Sequence, residues 1–133
     1  MAEYGDKVRL VFKDFPLDSH AGARPAAEAA RCAGAAGRFW EYHDLLFVAQ
    51  PEFGREQLVQ YAGRLGLDRA AFRACLDAGT HQKNVERDLR EGLSVGVRGT
   101  PTFIINGRRL VGAQPLDAFR EAIEDALREA RTP

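Results

Sequence analysis

Gly99-Thr100-Pro101-Thr102-Phe103-Ile104-Ile105-Asn106-Gly107-Arg108-Arg109-Leu110-Val111 is the stretch that decides the fold. Thr102–Ile105 is short and rich in β-branched and aromatic residues. Asn106-Gly107 is the strongest two-residue hairpin signal, and Arg108–Val111 is the returning strand. A proline is tolerated at the head of such a strand, where its missing N–H breaks no ladder. Gly112–Pro115 then turns the chain. Beyond it Leu116, Phe119, Ile123 and Leu127 recur at helical spacing, with Arg120, Glu124 and Arg128 on the outer side at i,i+4 intervals.

Upstream, the pattern from Pro25 to about residue 95 is helical. Pro25 suits a first turn, Ala26 to Ala36 is alanine-dense, and Gly37 is a stop at C′. Phe39–Phe47 forms a second stripe, ended by Gln50-Pro51-Glu52-Phe53-Gly54. Leu58, Tyr61, Ala62 and Leu65 form a third, closed by Gly66. Asp68 is placed to cap a short helix through Phe72, Cys75 and Leu76, which Gly79 ends. Thr80 is then a cap for a longer helix through Val85, Leu89 and Leu93. At the N-terminal end Val8, Leu10 and Phe12 alternate along Val8–Lys13, which predicts a strand stopped by Asp14-Phe15-Pro16. Residues 17–24 read as a loop. The expected order is strand, helical block, hairpin, helix.

Composition narrows the function classes. The chain has 133 residues and 14.7 kDa, one domain's worth. Lys plus Arg number 19 and Asp plus Glu 19, so the net charge is 19 − 19 = 0, with a pI near 6.8. That balance argues against nucleic acid as the main partner. A 45% hydrophobic and 29% charged composition is that of a folded chain. No apolar run approaches the ~20 residues a bilayer span needs. Met1–Glu3 shows no secretory signal, so a cytoplasmic protein, or the mature or truncated form of an exported one, is expected.

Three separated motifs carry a resemblance. Val97-Arg98-Gly99-Thr100-Pro101-Thr102, the hairpin after it, and Phe39-Trp40-Glu41-Tyr42-His43-Asp44-Leu45-Leu46-Phe47 fall in an order similar to that of DsbA-like thiol–disulfide oxidoreductases of the thioredoxin superfamily. The resemblance covers nearly the whole chain, with Val8–Leu17 similar to the family's second core strand. It implies an α/β thioredoxin-like fold over residues 1–133, with core pieces at 7–17 and 97–131 and an all-helical insertion at about 24–95. It also implies that Pro101 is cis. Gly99, Thr100 and Pro101 would face protein or peptide thiols and disulfides, with the Thr100 backbone pairing to an extended segment.

The chain departs from the family in one large respect. The family's first core strand and the Cys-x-x-Cys helix after it have no counterpart here, so the fold is expected to be incomplete and the catalytic residues to be none. Val8–Phe12 would then lack its neighbour. A second chain could fill the gap and make a homo-oligomer, the strand could pair with the hairpin, or it could stay mobile. The runner-up function is an inactive thioredoxin-fold module for peptide binding or oligomerisation. A periplasmic or extracytoplasmic location follows from the resemblance alone, with a cytoplasmic one as the alternative.

Cys32 and Cys75 lie 43 positions apart on apolar helix faces, which suits two inert buried thiols. The resemblance adds a structural disulfide as the alternative, since several DsbA-like proteins carry a second bridge in this region. Two cysteines do not by themselves make a zinc site, so no metal and no cofactor are expected. His20, His43 and His81 are scattered, and none is placed beside a nucleophile.

Overall fold

The computed structural model describes residues 1–132 and is mixed α/β. After a single 3-10 turn at Gly5–Lys7 come α1 (Ala23–Ala35), α2 (Phe39–Ala49), α3 (Arg55–Arg64), α4 (Arg69–Asp77) and α5 (Gln82–Ser94). Then follow β1 (Thr102–Ile105), β2 (Arg108–Val111) and α6 (Leu116–Ala130). The chain divides into two compact units, Met1–Gly92 and Leu93–Pro133.

The first unit is a helical cluster built on small residues. α1 packs against α2, α3 and α4 through Ala29 and Ala33, both fully buried, with Ala26 and Ala30 beside them. Alanine costs no side-chain entropy in a helix and lets neighbouring backbones come close. Into that space fit Tyr42, Leu58, Val59, Tyr61, Ala62, Phe72 and Leu76. The Tyr42 hydroxyl donates to the Leu58 carbonyl at 2.8 Å and the Tyr61 hydroxyl to that of Glu52 at 2.7 Å. Burial pushes the Tyr42 phenol well above its ordinary value of 10.0.

Helix ends follow the sequence signals closely. Gly37 and Gly66 take left-handed φ values of 78° and 77° just past α1 and α3. Asp68 caps α4 by accepting from the Ala71 N–H at 2.8 Å. At α5 the expectation of a Thr80 cap fails. The His81 carbonyl takes the N–H groups of Asn84 and Val85, at 3.1 Å each, and the helix begins at Gln82, one residue later than a Thr80 cap would place it.

The strand predicted at Val8–Lys13 is absent. Val8 is extended, with φ −130° and ψ 130°, but among the described residues the sheet contains only β1 and β2. Alternation reports a chain suited to a pleated surface, and a strand also needs a ladder partner. Without one, Leu10 and Val11 stay exposed, and Phe12 turns into an aromatic cluster with Phe39, Trp40 and His43.

The second unit is the hairpin and α6. β1 and β2 pair antiparallel in the register Thr102↔Val111 to Ile105↔Arg108. Asn106 and Gly107 sit at φ 47° and 88°, as a two-residue turn of this kind requires. Phe103 packs edge-on against Phe119 at 4.7 Å, with Val97 and Ala126 buried. On α6, ion pairs at i,i+3 spacing join Arg120 to Asp117 and Arg128 to Asp125.

A disulfide joins Cys32 in α1 to Cys75 in α4 and closes a 43-residue separation. By the chain-entropy relation, replacing both cysteines with serine should cost about 3–4 kcal/mol. Urea unfolding of the double variant measures this, and a loss near zero would mean that the helices hold α1 on α4 without the bridge.

Candidate functional site

Gly99, Thr100 and Pro101 lead into β1. Their carbonyls are used unequally. The Thr102 hydroxyl donates to the Gly99 carbonyl at 2.7 Å, and the Gly112 N–H donates to the Pro101 carbonyl at 2.8 Å. These two bonds fix the loop to the start of the hairpin from both sides. Thr100 and Pro101 are exposed, and among the described residues no hydrogen bond within the chain takes up the Thr100 N–H or C=O. The Thr100–Pro101 peptide bond is cis, as is Gln50–Pro51. Below the loop, Arg109 donates to the Val95 carbonyl and lies against Gly96, tying the segment ahead of the loop to β2. The result is an exposed peptide unit on a hydrogen-bonded base.

The cysteines are in the other unit. Both are in the bridge, and no cysteine of the chain is free. Cys32 is buried and Cys75 half-buried, and a ring nitrogen of His81 and the two sulfurs all lie within 4.8 Å of one another. The sequence separates His81 from Cys75 by a helix end, and only the turn at Gly79 brings it back. His43 is half-buried, 3.0 Å from Asp44, and stacks among Phe12, Trp40 and Phe47.

An apolar cleft of about 580 Å³ opens between the extended N-terminal segment and the helices. Phe12, Phe15, Pro16, Ala30, Leu46 and Phe53 are among the residues that line it. Next to it lies a charge cluster that sequence reading missed. Arg31 bridges Asp14 at 2.7 Å and Asp88, and the Asp14 N–H donates to Asp88 at 3.0 Å. Lys13 reaches Asp88 at 3.8 Å and Glu91 at 3.2 Å. Both aspartates are almost fully buried, 3% and 2% exposed. The signal was present in α5, where Asp88 shares the buried face with Val85. A buried acid needs a partner, and a basic residue on α1 was the one to look for.

With the fold and these sites in place, the class is a thioredoxin-like domain. A family model described as thioredoxin matches residues 1–125, and the chain belongs to that family. It is 37% identical over 131 residues to a Na(+)/H(+) antiporter NhaA of Herminiimonas arsenicoxydans, covering 98% of this chain and 21% of that protein. It is 41% identical over 125 residues to the Na(+)/H(+) antiporter NhaA 3 of Salinispora tropica, covering 93% and 19%. The Na(+)/H(+) antiporter NhaA 1 of Salinispora arenicola is 40% identical over 125 residues, with the same coverage. The chain spans about a fifth of the length of these relatives. Among the described residues no helix is long and apolar enough to cross a membrane.

Burial raises the Asp14 carboxyl above its ordinary 3.8, with Asp88 adding to the rise and Arg31 opposing it. Below pH 3.8 both folded and unfolded states hold the proton, and Asp14 contributes no pH dependence. As pH climbs through the folded value, the native state must keep a buried carboxylate and loses stability. Urea unfolding across this range should show wild type losing stability with rising pH relative to Asp14→Asn. Parallel profiles would contradict this.

Proposed function

We propose that this chain is the substrate-contact part of a DsbA-like thiol–disulfide oxidoreductase. It holds an extended protein segment at Gly99–Thr100–Pro101 while a sulfur pair outside residues 1–133 does the exchange. One observation carries this reading. Thr100 is exposed with its backbone groups open, on a loop fixed by the Thr102–Gly99 and Gly112–Pro101 bonds. An extended segment binds such a site through main-chain hydrogen bonds, which are indifferent to its sequence and therefore suit many protein substrates. Membership of the thioredoxin family supports the same role.

In the exchange, a thiolate attacks one sulfur of the substrate disulfide and forms a mixed disulfide, and the other sulfur leaves as thiolate. The loop's contribution is to hold that disulfide still and in line. Cys32 and Cys75 take no part in this reading, since they are bonded to each other within the helical unit. Their bridge favours an oxidising, extracytoplasmic compartment.

The relatives favour a second reading. All three bear the name of a Na(+)/H(+) antiporter, so the chain would be a thioredoxin-like module of an antiporter-type protein, binding peptide segments without turnover. A homo-oligomer would use the open edge of the hairpin, and protein or peptide segments remain the partner class.

Two measurements test the proposal. In an insulin-reduction assay with dithiothreitol, the chain alone should run at the background rate. In NMR titration with reduced insulin B chain, the amide signals of Gly99, Thr100 and Thr102 should shift most. Turnover above background would contradict the assignment of the reacting sulfurs to another segment, and shifts confined to other residues would contradict the role of the loop.

A further inference from the structure

The Cys32–Cys75 bridge has a third donor beside it. The sulfurs and a ring nitrogen of His81 lie within 4.8 Å of one another. The two ring nitrogens of His81 differ. Nδ1 is 3.2 Å from the Asn84 amide nitrogen, while Nε2 is buried with no hydrogen-bond partner. Most buried ring nitrogens are satisfied, so an orphaned one on a histidine beside two sulfurs calls for an explanation.

We propose that reduction of the bridge turns Cys32, Cys75 and His81 into a binding site for one Zn²⁺ ion. A bonded pair of sulfurs is a poor ligand set, so the oxidised protein does not offer the site. A small-molecule thiol or protein dithiol opens it. Attack falls on Cys75, the more exposed of the two residues, and Cys32 leaves as thiolate. A second thiol then resolves the mixed disulfide. Two thiols are consumed to give one new disulfide and two cysteine thiols. Zn²⁺ displaces two protons as it takes both thiolates.

The geometry needs little change. Tetrahedral zinc sets its sulfur and nitrogen ligands about 3.5–3.8 Å apart. The Cα atoms of Cys32 and Cys75 are 6.1 Å apart on helices held by their own packing, so the sulfurs stay near each other after the bond opens. His81 is fixed at the start of α5 by its carbonyl bonds to Asn84 and Val85. As placed, the Asn84 amide nitrogen donates to Nδ1 and leaves the ring proton on Nε2; a flip of that amide would bring its oxygen to Nδ1–H and free Nε2 for metal. Half-burial of Cys75 and His81 leaves water to fill the fourth position. The spacing of the two cysteines gives no zinc motif, and it is the fold that adds the third ligand.

The test titrates Zn²⁺ against a chromophoric chelator with the full chain, oxidised and reduced. Reduced protein should bind one equivalent about 100-fold or more tighter than oxidised protein, with release of about two protons. His81→Gln should weaken reduced-state binding by at least about 10-fold, while His20→Gln should not. The His20 control separates a formed site from cysteines in a loosened chain, where any histidine would serve. If circular dichroism shows that reduction loosens the helices, Zn²⁺ should restore the signal of wild type and not of His81→Gln. Equal affinity of the two redox states, equal affinity of His81→Gln and wild type, or failure of Zn²⁺ to restore a loosened fold would each overturn the proposal.

Discussion

The close approach of α1 to α2, α3 and α4 is the constraint on which the helical unit depends. It is possible because Ala29 and Ala33 bring no side chain beyond Cβ to faces that are completely buried. Enlarging either would force neighbouring side chains off their rotamers, at about 1–3 kcal/mol. The same spacing lets Cys32 reach Cys75 and leaves Tyr42 room to lie against Phe72, with its hydroxyl on the Leu58 carbonyl. Crosslink, aromatic packing and the buried phenol are therefore consequences of one run of small residues.

The extended N-terminal segment is held differently. Its backbone has no ladder, and it is attached to the helices by side chains and by the Asp14 N–H, which donates to Asp88. Phe12 enters the aromatic cluster, Asp14 is pinned by Arg31 and Asp88, and Pro16 is buried. A buried charge cluster contributes little net stability, but it fixes position, since misplacing the segment would leave Asp88 uncompensated in the interior. The main chain from Val8 to Lys13 is kept in place while its hydrogen-bonding groups remain open.

Much of this architecture was legible in the residues. Asn106-Gly107 located the hairpin, Gly37 and Gly66 the ends of two helices, and Asp68 the start of a third, because each of these depends on local backbone chemistry. Phe39–Phe47 and the loop at Gly99–Pro101 pointed to the family. What escaped were features set by distant parts of the chain. The ladder at Val8–Phe12 required a neighbour that alternation cannot report. Arg31, Asp14 and Asp88 are separated by 17 and 57 positions, and His81 meets the cysteines only through the turn after α4.

The two units thus combine a crosslinked helical core with two stretches of unused main chain, Val8–Lys13 and Thr100. On the proposed function, this open backbone is what an extended partner would pair with. Native-state hydrogen exchange tests this most directly. Amides of Val8–Lys13 and Thr100 should exchange near the rate of an unprotected chain, while those inside α1 and α3 exchange only on global unfolding. Protection of Val8–Lys13 comparable to that of the cross-strand amides of β1 and β2 would show that the segment is already paired, and would contradict the account.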